Sequence, residues 1–584
     1  MTDREKILSD DYYDLIVDFN YPSGVSPVED FAVQPITGEI SIIYANRSQV
    51  IPMNVSDYTY PVIPMLYGLM PGTPGNSGGF DPTPLIRSGI TRVQAQPLNL
   101  TGRGVVLGFV DTGIRYEEPV FRREDGSTRI LGIWDQTIQT GEPPQGILYG
   151  TEYKREQIDL ALQSENPREI VPSYDENGHG TEIASVAAGS VLGNGLQFVG
   201  AAPDAEIVVV KLRQAKPHLK EFYQVPQGAA AYAESDLLVA LKYLESYAIS
   251  LVRPLVICFG LGTNLGDHEG HSVLVDYMNR IATMRSRVII ACGGDQGNSA
   301  HHYIGSSVEG LTETVDNVEI RVGNNVGGFT GELWGSVSAN HAIAIRAPGG
   351  EVTPRADFKG QGSQEFRFIF ERTRIQVDHV LVEQSSGEEL IFFRFLDPTP
   401  GIWTIQVYIS GGRISESTFH VRSVEQPRIG VFHTWLPIRE FLDVPVYFLK
   451  PNPYTTLTEP SNAGDIITVT SYDDRNDSFY AESGRGYTRL GRIKPDICAP
   501  GVGVSTILGN RTATGISAAM TAGAAAQFLQ WAVVEGNRSF VETRELKNYL
   551  IRGARRSNDL SYPNREWGYG ALDIAGTFAV LAGV

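Results

Sequence analysis

The chain has 584 residues, 42% of them hydrophobic and 20% charged, with a formal net charge of −19. That length exceeds what one hydrophobic core supports, so two or three globular domains are expected. The acidic balance excludes the basic face of a nucleic-acid binder and offers nothing to anionic lipid, and no run nears the ~20 apolar residues needed to cross a bilayer.

The charged start, Met1 to Ile7, lacks the apolar stretch of a secretory signal, so synthesis in the cytoplasm is expected. Residues 1–96 read as a separate unit, with strands at Tyr12–Phe19 and Glu39–Tyr44. A glycine- and proline-rich tract, Met70–Phe80, reads as a loop inside that unit. From about 100 to 300, strand and helix patterns alternate. Apolar runs at Val105–Val110, Glu206–Leu212, Leu255–Phe259 and Val288–Cys292 have the length and composition of buried parallel strands. Helices are expected over Gly180–Ala188, Glu234–Tyr247 and Val273–Arg285. The rhythm predicts an α/β fold, a parallel sheet with helices on both faces. Residues 310–455 break it. Strands at Val318–Val322, Phe366–Phe370, His379–Val382 and Ile402–Tyr408, with turn signals between them, predict an all-β insertion of sandwich or jelly-roll type. The α/β pattern resumes at Asp465–Thr470 and runs to the end, giving domains at 1–96, 97–309, 310–455 and 456–584.

Three segments carry chemistry. Val105–Val110 ends in Asp111 and a glycine turn, which puts a carboxylate at the carboxyl end of a strand, where ligands gather in open α/β sheets. Asn177-Gly178-His179-Gly180-Thr181 feeds a small-residue helix, and its glycines leave room beside the imidazole. Thr514-Gly515-Ile516-Ser517 opens a second small-residue helix with a hydroxyl near its positive end. A serine needs a neutral imidazole to take its proton, and a carboxylate to hold that imidazole's tautomer. Each residue alone has a plain structural reading: a turn carboxylate, a packed histidine, a helix cap. The chain order Asp111, His179, Ser517 is the subtilisin order.

These segments resemble the three catalytic motifs of the subtilisin-like serine proteases, and Arg492–Gly501 and Gly568–Asp573 resemble that family's later loops. Met520 and Thr521 stand where the family has a proline, and Ile516 where threonine is common. The resemblance implies Ser517 as nucleophile, His179 as general base and acid, and Asp111 as its orienter. It implies a prodomain over 1–96 that stays in the cleft and is cut near Gln96. It also implies a substrate-pairing strand at Gly260, Leu261 and Gly262. The oxyanion-binding asparagine of the family is matched by Asp295, an acceptor where a donor is wanted.

The β-rich insertion and the Pro398–Ile405 stretch are similar to the Csp germination proteases of clostridial spores. That likeness implies a spore-stored endopeptidase that activates a cortex-lytic zymogen by limited proteolysis; separately, no loop in the sequence is specific enough to predict a cofactor or metal. Two alternatives stand beside it: a pseudoprotease with a regulatory or sensing role, which Asp295 favours, and a subtilase with an unrelated protein substrate. Cys258, Cys292 and Cys498 lie in apolar segments and read as core side chains. His268, His271, His301 and His302 lack the spaced partners of a metal site.

Overall fold

A computed structural model describes all residues except 20–28, 76–78, 191–197, 309–312, 358–361, 412–429 and 584. Its centre is a nine-stranded sheet. Across it run Ser478–Phe479, Ile467–Asp473, Arg287–Cys292, Leu255–Phe259, Val106–Asp111, Glu206–Lys211, Ile130–Asp135 and Thr151–Lys154, with Ile497–Pro500 also paired to Ile467–Asp473. The inner pairings are parallel, and the two outermost strands pair antiparallel. The expected strands and helices are present with shifted ends: Val106–Asp111 reaches the carboxylate, and Glu234–Leu251 extends one turn further than periodicity shows.

Side chains alternate across a strand, so Gly108 and Asp111 face opposite sides. A Cβ on Gly108 would touch Leu244 of the Glu234–Leu251 helix, whereas Asp111 faces the His179–Ala188 helix. Helices therefore cover both faces. The buried helix Thr514–Leu529 lies against His179–Ala188 and packs on the central strands, with Ser517 of its first turn beside Ala499 and Pro500 at the end of Ile497–Pro500.

The insertion is two antiparallel sheets around a core of its own that includes Phe329, Phe393, Phe395 and Trp403. One sheet has six strands, from His302–Gly305 through Phe432–Trp435 to Gln364–Arg367. The other has four: Asn340–Arg346, Gly401–Ser410, Glu313–Val322 and Val446–Phe448. It thus begins a few residues before 310 and closes before 455. The strand expected at Phe366–Phe370 stops at Arg367, and Ile369 and Phe370 stand exposed beyond it. Phe392 stacks on Phe222 at 5.5 Å and joins the insertion to the main core.

The first domain boundary needs correction. The amino-terminal unit has a three-stranded sheet, Tyr12–Asp18, Ile40–Asn46 and Phe31–Pro35. Its chain then enters another sheet as Leu66–Leu69, between Ala231–Ala233 and Leu261–Gly262. Helices Thr83–Arg87 and Ile90–Gln94 belong to the sheet unit: Ser88 O accepts from Ile574 N at 3.0 Å, at the start of the Ile574–Ala582 helix. The boundary falls after Met70, not at 96. The glycine- and proline-rich tract therefore bounds the unit instead of lying inside it, although residues 76–78 are outside the described ones.

Candidate active site

The loop before His179 is built around Asp175. Its carboxylate accepts from Thr112 Oγ1 at 2.8 Å, Gly178 N at 2.8 Å, Thr181 N at 2.9 Å and Thr181 Oγ1 at 2.6 Å. These bonds tie the end of the Val106–Asp111 strand to the start of the His179 helix. Gly180 is required there, because a Cβ would lie 2.3 Å from Gly113 O. The result is a 2.7 Å bond from His179 Nδ1 to Asp111 Oδ1, with both side chains buried. Asp175 is missed by motif reading, because it lies three residues before the Gly178 N-cap, outside the position that capping patterns flag.

His179 Nε2 reaches the carbonyl oxygen of Met70, at 3.2 Å, and no serine. Burial works against the charged ring, yet the Asp111 carboxylate and the Met70 carbonyl outweigh it and raise His179 to about 9. At neutral pH the ring is an imidazolium that donates from both nitrogens. In this state it cannot accept a proton.

Ser517 is not its partner, which overturns the expectation that it is the nucleophile. The Ser517 hydroxyl is fully buried and lies 2.7 Å from Ser471 Oγ, 3.0 Å from Ala499 O and 3.1 Å from Pro500 O. Gly515 occupies the place a nucleophile needs. A Cβ built there falls 3.8 Å from His179 Nε2 and 3.7 Å from Met70 O, so a hydroxyl one bond further would come within reach of the ring. Two residues along a helix is a turn of about 200°, which carries Ser517 to the opposite side, toward Ile467–Asp473 and Ile497–Pro500.

Asp295 is fully buried near the first turn of the same helix. Its Oδ1 accepts from Thr514 N at 3.0 Å, and its Oδ2 has no hydrogen-bond partner among the described residues. Burial is the main cause that pushes its carboxyl up to about 7, against the pull of Thr514. Its Oδ1 consumes a backbone donor, and its Oδ2 can donate only in the protonated form, which is about half populated near pH 7.

The cleft is filled by the chain itself. Leu69 and Gly68 pair antiparallel with Leu261 and Gly262, Leu66–Gly68 pair with Ala231–Ala233 on the other side, and Met70 N donates to Gly260 O at 3.4 Å. Gly260, Leu261 and Gly262 thus hold a strand, and that strand is Leu66–Met70. Gln96, the expected cleavage site, is exposed just past the Ile90–Gln94 helix, outside the cleft, and the carbonyl beside His179 is that of Met70.

The family model for the Subtilase family matches residues 102–365 and 449–570. The chain belongs to the subtilase family of serine proteases. Among solved subtilases, the CspB protease of Clostridium perfringens superposes with a TM-score of 0.72 at 28% identity, covering 85% of this chain and 97% of that one. The serine protease AprX of Bacillus subtilis is 33% identical over 192 residues, which are 29% of this chain and 35% of AprX. The subtilisin-like protease SBT3.5 of Arabidopsis thaliana is 25% identical over 237 residues, 36% of this chain and 28% of the relative. The matched regions thus span about a third of these curated subtilases. No helix among the described residues is long and apolar enough to cross a membrane.

Proposed function

We propose that this chain is a subtilase-fold pseudoprotease that acts by binding and cuts no peptide. The observation that carries the reading is Gly515 beside His179, with the Ser517 hydroxyl held by Ser471 on the far side of the helix. Two further features support it. Asp295 takes a backbone donor, and Leu66–Met70 occupies the cleft as a continuous chain. This replaces the restricted endopeptidase implied by the family motifs.

The likeness to CspB and to the germination proteases supplies the setting: a regulatory or sensing partner in the pathway that activates a cortex-lytic zymogen. The amino-terminal unit is a prodomain in form that serves as a permanent part of the fold. The decisive experiment is fluorophosphonate labelling of the full chain read by intact mass. The unlabelled, uncut mass is expected. A serine adduct at Ser517, or a split after Met70 or Gln96, would overturn the proposal. In the producing cell, a His179→Gln allele should still support germination where a deletion does not, and its failure at wild-type levels of folded protein would count against the proposal.

A further inference from the structure

Away from the dyad, a cavity of about 20 Å³ lies where the amino-terminal unit, the sheet unit and the insertion meet. Its walls include Tyr60, Glu234, Asp267, Trp334, Glu383 and Glu459. The carboxylates are not equivalent. Asp267 is met by His271 Nδ1 at 2.5 Å and by Arg489 at 3.9 Å. Glu383 accepts the backbone N–H groups of Ser385 and Ser386. Glu234 accepts from Met65 N at 3.1 Å and Leu274 N at 3.0 Å, and Glu459 from Gly270 N at 3.2 Å. Among the described residues no cationic side chain pairs with Glu234 or Glu459. Glu459 is 1% exposed, and among the described residues its Oε2 has no hydrogen-bond partner. Burying such an oxygen unpaired is costly, so a donor that reached it would stabilise the site.

We infer that this cavity is a binding site for one primary ammonium group, free or at the end of a slim small molecule, with Glu459 Oε2 as its main acceptor. Size and donor count select that chemistry. The volume holds one water-sized group. A metal ion would need several converging ligands, and no group of three His, Cys, Asp or Glu side chains among the described residues is placed to hold one. An –NH3⁺ head needs acceptors and tolerates aromatic faces, and the rings of Tyr60 and Trp334, edge to face at 5.7 Å, form part of the wall. Burial pushes Glu234 up to about 7, and burial with the nearby Asp267 charge raises Glu459, as expected for carboxylates that lack the cation they face. Because Tyr60 comes from the amino-terminal unit and Trp334 from the insertion, occupancy would tie the three parts together.

Thermal unfolding of the full chain at constant ionic strength tests this. Methylammonium chloride at a hundredfold excess over its Kd should raise Tm by about 2 °C. Tetramethylammonium, too bulky and without N–H donors, and sodium should not. Glu459→Gln should abolish the methylammonium response. Equal shifts with all three salts, a response retained in Glu459→Gln, or none in the wild type would overturn the assignment and leave a site for water only. If Glu459→Gln does not fold, the discrimination of methylammonium from tetramethylammonium by the wild type decides alone.

Discussion

At the scale of single residues, two neighbours on one helix turn exchange roles. Ser517 carries the only hydroxyl in the Thr514–Ala519 turn that the motif reading could use as a nucleophile after a glycine, yet it is a core polar group. Ser517→Ala should therefore cost about 1–2 kcal/mol of stability by leaving Ser471 with a poorer partner, measured by urea unfolding, with no loss of any hydrolytic signal. Asp295 carries a sharper signature. Its folded pKa of about 7 lies above the unfolded value, so its contribution to stability is complete below about pH 4 and is lost as pH rises through 7. Asp295→Asn keeps the acceptor for Thr514 N and removes the titration. The variant should gain on the wild type by about 1.4 kcal/mol per pH unit between pH 5 and 7 in urea melts. A constant difference across that range would mean that Asp295 does not titrate there.

Among elements, the strand Leu66–Leu69 with Met70 decides what the cleft can do. The His179 imidazolium anchors it through the Met70 carbonyl. With a folded pKa of about 9, His179 contributes stability that is fully present below about pH 6.5 and lost as pH rises through 9. Hydrogen exchange of the 66–70 amides, corrected for intrinsic rate, should lose protection between pH 7 and 9.5, and His179→Gln should show the weaker protection at both. The exit from the cleft is equally specific. Gly72 has φ +57°, and a Cβ there would lie 1.9 Å from Thr512 O. Gly72→Ala should cost about 1–3 kcal/mol and make the 71–75 connection more readily cut in limited proteolysis than in the wild type.

The same elements show what a sequence can reveal. Val106–Asp111, Leu255–Phe259 and the His179 helix are legible because each is a continuous apolar or small-residue run whose burial is decided locally. Gly515 and Ser517 are not separable by letters, since both readings put a hydroxyl or its absence in one glycine-containing turn; only the angle about the helix axis tells them apart. Leu66–Met70 is unreadable as a cleft strand because its partners, Ala231–Ala233 and Leu261–Gly262, lie more than 160 residues away and contribute only two or three residues each.

For the whole molecule, the amino-terminal unit must be held by more than its strand in the cleft. The contact is a buried charge cluster. Asp14, fully buried, meets Lys216 Nζ at 2.6 Å and Arg213 Nη2 at 3.5 Å, and Arg213 Nε meets Asp236 Oδ2 at 2.8 Å. Burial opposes the Asp14 carboxylate, but Lys216 and Arg213 prevail and hold it below the usual range. Its stabilisation is present above about pH 4 and lost as pH falls through the lowered value, so acid should loosen the unit in a range where the His179 contribution, complete below about pH 6.5, no longer changes. Asp14→Ala leaves Lys216 buried without its carboxylate and should cost about 3–5 kcal/mol. The double variant Asp14→Leu with Lys216→Met removes both charges while Arg213 keeps Asp236, and should recover most of that loss. If urea unfolding shows the double variant as unstable as Asp14→Ala, the junction depends on the ion pair itself and not on relief of an uncompensated charge.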